Sequence, residues 1–261
     1  MPTSEDKARG DAVRLCWTGG WDSTFRLLQA LIIERTPVQP LYVINPVRAS
    51  HSHEMRAMER IRAEVVARFP FTAELLQPTR TTDFGDILPD PEITKSFNRL
   101  ADKSHLGTQY EWLARFASQT QFCDLELAVH RDDKAHGFLQ DWVRAEKTTG
   151  TTAYVLKPEA LETDLRIFKF FRFPLFDYTK LRMRDEAAAH GFDMLLNLTW
   201  FCHSPRPDGR PCGACAGCVY TRDEGLGERV PPPSFPRRIF LEVSKRIPWR
   251  LKRTIKRLRG S

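Results

Sequence analysis

Apolar positions follow two rhythms along the chain. Residues 13–17 (VRLCW) are short, β-branched and aromatic, which predicts a buried strand ending at a pair of glycines. Phe25, Leu28, Leu31 and Ile32 then recur at helical spacing until Thr36 and Pro37 stop the pattern. Residues 40–44 (PLYVI) predict a second strand, and Met55, Met58, Ile61 and Val65 a helical stripe flanked by charges. Residues 71–76 read as a third strand, followed by a long polar connection over 77–105 that contains Pro78, Pro89 and Pro91. Tyr110, Leu113, Phe116 and Ala117 mark a helix, 125–129 (LELAV) a strand, and 134–163 a further helical or loop segment. An apolar run at 170–176 precedes a helix over 178–190, with Asp177 as its N-cap and Gly191 at its close. Strands alternating with helices at this spacing predict an α/β fold, a mostly parallel sheet with helices on both faces. Such sheets bind ligands at the carboxyl ends of their strands.

The first loop of the alternation is TGGWDST, residues 18–24. It lacks the lysine of a Walker phosphate loop and the spacing of a G-x-G-x-x-G dinucleotide turn. Gly19 and Gly20 allow a sharp turn and close approach of backbone N–H groups. Asp22, Ser23 and Thr24 open a helix whose free amides and positive dipole end favour an anion. A phosphate or pyrophosphate would fit. The same residues also suit a plain strand-to-helix turn capped by Asp22 or Ser23.

Composition narrows the class. The 261 residues are 41% hydrophobic and 28% charged, without repeats or low-complexity tracts, which suits a globular protein. The longest apolar stretch, 27–33, is interrupted by Gln29 and is far short of the ~20 residues of a bilayer span. The polar start MPTSEDKARGD has no apolar core of a signal peptide, so a cytoplasmic protein is expected. In that compartment clustered cysteines read first as a metal site. Cys202, Cys212, Cys215 and Cys218 give C-x₉-C-x₂-C-x₂-C in a Pro/Gly-rich loop, the pattern of a closed tetrahedral Zn²⁺ site, with an iron–sulfur cluster as the alternative. His203 adjoins it as a surface or outer residue, and Cys16 and Cys123 read as inert core thiols.

The net charge of +7 is unevenly placed. Residues 237–261 hold ten Lys/Arg against Glu242, a net +9, so the first 236 residues sum to −2. Residues 236–261 predict a basic amphipathic tail, broken near Pro248, suited to RNA, an anionic surface or a protein partner, or to packing on its own body. The expected organisation is an α/β domain over 1–200 that carries the glycine turn, a zinc-knot module over 201–225 and this tail.

TGGWDST resembles the SGGxDS signature of the PP-loop ATP pyrophosphatases, with Thr18 for the first serine. The run PLFDYTKLRMRDEAAAHGFDMLLNLTWFC, followed by CGACAGC, resembles the C-terminal part of the 7-cyano-7-deazaguanine synthases, with Pro174, Leu175, Lys180, Leu198, Thr199, Trp200 and Cys202 at matching places. The resemblance spans about residues 12–225. It implies that Thr18, Gly19, Gly20, Asp22, Ser23 and Thr24 hold the phosphates of ATP with Mg²⁺, and that Asp22, Ser23 and Lys180 serve catalysis. Lys180 read alone is equally a solvated first-turn lysine. The reaction implied is adenylation of 7-carboxy-7-deazaguanine with release of pyrophosphate, then attack by ammonia to give amide and nitrile. Departures fall on the acceptor side. YVINPVRASHSHE, with Asn45, Arg48, His51 and His53, replaces the family's F-x-Y-G-Q-x-H, and HRDDKAHGFLQDW replaces D-Y-x-x-Y-P-D-C-R. GTQYEW stands where the family has arginine-asparagine. His130, Arg131, Asp132 and Asp133 still end a strand, where they either face ligand or form a charged loop. An adenylating ligase with another acceptor, or a nucleotide-binding adaptor without turnover, therefore stays open, as does an oligomeric state.

Overall fold

The computed structural model describes residues 12–148 and 151–233. Strand β1 (Val13–Cys16) runs into a turn and then into helix α1 (Trp21–Leu28), which continues as a π-helical turn, Gln29–Ile33. All of α1 except Asp22 is buried, so packing rather than an amphipathic face holds it. β2 (Val38–Ile44) and α2 (His51–Arg68) follow, the latter burying Ala57, Met58, Ile61 and Val65 along one face. Next come α3 (Thr72–Leu75), β3 (Arg80–Asp83), α4 (Pro91–Lys103), α5 (Gln109–Thr120), β4 (Leu125–Glu126) and α6 (Lys134–Leu139). The chain then forms β5 (Val143–Thr148), β6 (Thr151–Leu156), β7 (Phe171–Phe173), α7 (Lys180–Ala189), α8 (Asp193–Leu196) and α9 (Ala216–Thr221).

The seven strands lie in the order β3-β2-β1-β4-β7-β6-β5. The first five are mutually parallel, and β6 and β5 form an antiparallel edge. This is the α/β architecture the alternation predicts. Pleating sends neighbouring residues of β2 to opposite cores. Leu41 and Val43 pack with Phe97, Leu113 and Phe173 on one face, while Tyr42 joins Leu15, Trp17, Leu28 and Ile61 on the other. Strand order reverses at β1. The chain moves outward from β1 to β3, then returns to place β4 on β1's other side. The loops after β1 and β4 therefore flank the crevice where such sheets bind ligands.

A buried cation ties this junction together. Arg26 is fully buried; its Nε lies 2.7 Å from Glu126 on β4, and its Nη1 lies 2.7 Å from Glu34 and 3.1 Å from Gln29. Removing Glu126 would leave the Arg26 Nε and Nη2 donors without their acceptor in the interior, with Glu34 still facing Nη1.

Several expectations need correction. Residues 71–76 hold a single helical turn, not a strand; only Leu76 bridges β2, at Val38. The third strand is the polar RTTD of β3, an edge strand whose side chains face solvent and carry no apolar signal. The supposed polar connection contains α4, with Asp90 accepting from the Glu92 and Ile93 amides, Pro91 in its first turn, and Ile93, Phe97 and Leu100 buried. Between 134 and 163 lies the β5–β6 hairpin. The N-cap of α7 is Thr179, which accepts from the Arg182 amide, while Asp177 receives the Tyr154 hydroxyl. Cys123 is exposed, whereas Cys16 is half-buried and burial pushes its thiol up to about 12. Among the described residues no helix is long and apolar enough to cross a membrane. The basic tail lies outside the described residues.

Candidate active site and metal centre

The turn after β1 divides its glycines into two roles. Gly19 has φ +68°, and a Cβ there would stand 3.0 Å from Met58 Cγ and 3.1 Å from the Glu54 carbonyl of α2. Gly20, the N-cap of α1, has ordinary extended backbone, and a Cβ would find nothing closer than the Thr18 hydroxyl at 3.4 Å. Geometry therefore demands glycine at 19 and leaves 20 free for a ligand's approach. Thr18 is exposed; its amide donates to Ser23 Oγ, which in turn donates to the Gly20 carbonyl, both at 3.4 Å. Thr24 is fully buried and accepts the Trp17 indole N–H at 3.0 Å, so its hydroxyl braces the turn from within. The Gly19 carbonyl accepts the Trp200 amide at 2.9 Å, joining the turn to the stretch that leads into the cysteines.

Asp22 is where the loops converge. His130 Nε2, after β4, lies 3.5 Å from its Oδ1, and Lys180 Nζ, opening α7 after β7, lies 3.5 Å from its Oδ2. Lys180 also meets Glu224 Oε2 at 2.5 Å and is buried, which departs from a solvated lysine. Burial favours neutral Asp22, but Lys180 and His130 outweigh it and hold the carboxyl well below its usual range. Burial likewise opposes charge on Lys180, and Asp22 with Glu224 reverses it, raising the ammonium. For Glu224 burial wins over Lys180 and the carboxyl is raised. His130 is raised because Asp22 overcomes burial. Its Nδ1 accepts the Asp132 amide at 3.2 Å, so in the neutral ring Nε2 carries the proton and presents it to Asp22.

The rest of the strand-end cluster is structural in its contacts. Asp133 caps α6 and accepts the Tyr110 hydroxyl at 3.0 Å, and Arg131 lies 3.7 Å from Asp177. In the loop after β2, Asn45 accepts the Val47 amide, and Arg48 pairs with Glu54 at 2.8 Å. His51 bonds Tyr42, and His53 stacks on Trp200 at 4.2 Å. Two residues without a sequence signal also join the site, Glu224 and Arg229, both beyond the last cysteine and in no recognisable motif. Arg229 lies over the Trp21 ring at 4.9 Å and donates to the carbonyl and hydroxyl of Thr199.

The structure brings the four cysteine sulfurs together, all within 4.8 Å of one another. Measured separations are 3.5 Å for Cys215–Cys218, 3.8 Å for Cys202–Cys215 and 3.9 Å for Cys212–Cys218. Thiolates ~2.3 Å from a tetrahedral ion stand ~3.8 Å apart, so the set fits one four-coordinate ion. Backbone amides donate to three of the sulfurs: Cys212 to Cys202 and Cys215 to Cys212 at 3.2 Å, and His203 to Cys215 at 3.2 Å. Such donors stabilise thiolates and orient ligands. The His203 side chain is exposed beside the set.

No known family profile matches the chain. A stretch of 45 residues, 17% of the chain, is 42% identical to a 7-cyano-7-deazaguanine synthase from Rhizorhabdus wittichii and spans only 19% of that enzyme. Among solved structures, the U34-tRNA thiolase NcsA from Methanococcus maripaludis, described with its [4Fe-4S] cluster, aligns over 87% of this chain and 84% of its own. The TM-score is 0.33 and the identity 11%. The chain is thus similar, over one short segment, to an enzyme of deazaguanine chemistry.

Proposed function

We propose that the protein is an ATP pyrophosphatase of the PP-loop type, which adenylates an acceptor and releases pyrophosphate, and that the acceptor is a carboxylate of the 7-carboxy-7-deazaguanine kind. The observation that carries this reading is the position of the glycine turn. It sits at the reversal point of the sheet, opens α1, and has a buried lysine delivered to its Asp22 from β7's end. The local likeness to a deazaguanine synthase supports the acceptor class.

In this reading the amides of 18–24 cradle the polyphosphate. Gly20 offers unencumbered backbone, and Asp22 keeps Lys180 charged beside the phosphates. Positioning and charge stabilisation, rather than a covalent nucleophile, are what this set can supply. Mg²⁺ would travel with ATP and neutralise polyphosphate charge, with Asp22 the nearest carboxylate of the loop. Zn²⁺ in Cys202, Cys212, Cys215 and Cys218 would be structural, since four thiolates leave no open position for chemistry.

A different acceptor is the second reading, favoured by one observation. Asp133 and Arg131 in the altered acceptor-side stretch are engaged by Tyr110 and Asp177, so they are not poised as free recognition groups. The test incubates protein with ATP, Mg²⁺, 7-carboxy-7-deazaguanine and ammonia while pyrophosphate and acceptor mass are followed, with Ser23→Ala alongside. Acceptor-dependent pyrophosphate and a nitrile product, both reduced by Ser23→Ala, are expected. Pyrophosphate without nitrile assigns another acceptor, and absence of ATP binding overturns the reading.

A further inference from the structure

The cations around the glycine turn differ in one respect. Lys180 has two carboxylates, Asp22 and Glu224, within reach. Arg229, in the short turn Gly227–Arg229 beyond the cysteines, has no carboxylate at ion-pairing distance among the described residues. One terminal nitrogen is satisfied by Thr199, at 2.8 Å to the carbonyl and 2.9 Å to the hydroxyl. The other, Nη1, is buried without a partner. The guanidinium lies within reach of two rings, 4.9 Å from Trp21 and 5.3 Å from Phe201. Trp21 is itself 6% exposed, and its indole Nε1 is a second buried donor without a partner.

Unsatisfied buried donors are uncommon, and a buried cation without counter-charge is costly. Burial brings the Arg229 guanidinium down to about 10, with Glu228 and Asp22 only partly restoring it. Two such donors, one on the residue that follows Gly20 and one stacked against that residue's ring, ask for the same missing partner. An oxyanion would accept from either donor and supply the charge Arg229 lacks. The guanidinium fork suits phosphate oxygens in particular.

We propose that Arg229 Nη1 and Trp21 Nε1 together bind a phosphate oxygen of the nucleotide held at the glycine turn. The segment beyond the cysteine centre thereby supplies the turn's uncommitted positive charge. This deepens the proposed function and rests on it. It also gives the cysteine centre a reason to sit where it does. Thr199 anchors Arg229, Trp200 bonds Gly19, and Cys202 follows two residues later, so the metal module and the turn share one brace.

The test is calorimetric titration of the full, zinc-loaded chain with Mg²⁺-pyrophosphate and separately with AMP. Wild type, Arg229→Gln and Trp21→Phe are compared. A charge-assisted hydrogen bond is worth ~1.5–3 kcal/mol, so Arg229→Gln should weaken at least one probe by about 10- to 150-fold. Trp21→Phe removes the N–H while keeping a smaller aromatic ring beside Arg229, and should weaken the same probe several-fold. It decides the matter if Arg229→Gln does not fold. Loss with AMP assigns the α-phosphate, and loss with pyrophosphate the outer ones. Wild type binding while the variants bind equally well would overturn this inference and leave the function standing. Wild type binding neither probe would overturn both.

Discussion

Substituting alanine at Gly19 and at Gly20 should have opposite consequences, and the difference can be worked from the turn itself. At Gly19 the φ of +68° is left-handed, which costs an L-residue ~1–2 kcal/mol. The new methyl would also press on Met58 Cγ at 3.0 Å and, less yieldingly, on the Glu54 backbone carbonyl at 3.1 Å. Overpacking of that kind adds ~1–3 kcal/mol, so Gly19→Ala should lose roughly 2–5 kcal/mol. Gly20 has φ −80° and ψ 166°, and its nearest neighbours would be 3.4 and 3.6 Å away, ordinary contact. Only its capping preference is lost, at most ~1 kcal/mol. With a urea slope of ~3 kcal/mol per molar for a chain of this size, Gly19→Ala should move the midpoint down by about 1 M and Gly20→Ala by no more than ~0.3 M. ATP binding should instead fall in Gly20→Ala, whose methyl stands beside the Thr18 hydroxyl and the Trp200 carbonyl. Equal midpoint shifts for the two variants would refute the division of labour between the glycines.

Other consequences follow from the buried groups. Cys212→Ser should release the bound metal, read by elemental analysis, and lower the unfolding temperature, because ligand loss uncouples metal binding from folding; a metal-free wild type would refute this. Glu126→Ala leaves Arg26 with one carboxylate in a fully buried position and should cost ~3–5 kcal/mol in denaturant unfolding. In the histidine NMR titration His130 should titrate above 6.5, and in Asp22→Asn below it, since burial then acts without its main opponent. A folded-state value raised above the unfolded one stabilises fully below about pH 6.5 and fades as pH rises through the folded value. The stability gap between wild type and Asp22→Asn should accordingly narrow on going from pH 6 to pH 9.

The chain's own pattern determined the elements whose signals are local. α2, α5 and α7 announce themselves because each buries one face and so carries the helical period, and β1 and β2 because they are short apolar, β-branched and aromatic runs. The glycine turn and the four cysteines are equally legible, since backbone geometry and metal ligation need those residue types within a short span. β3 was not, because an edge strand whose side chains meet water has no apolar rhythm to read. The β5–β6 hairpin was lost for a related reason, its alternation being diluted by threonines and charges. What only the tertiary structure decided is the company Asp22 keeps. Its partners His130 and Lys180 lie 108 and 158 positions away in sequence, and Glu224, the second carboxylate on Lys180, 202 away; they meet because β4 and β7 lie beside β1 while the cysteine segment folds back over the turn. No periodicity encodes such a meeting, for it is set by strand order. The orphaned donors of Arg229 and Trp21 become visible only when burial shows which charges have found an opposite and which have not.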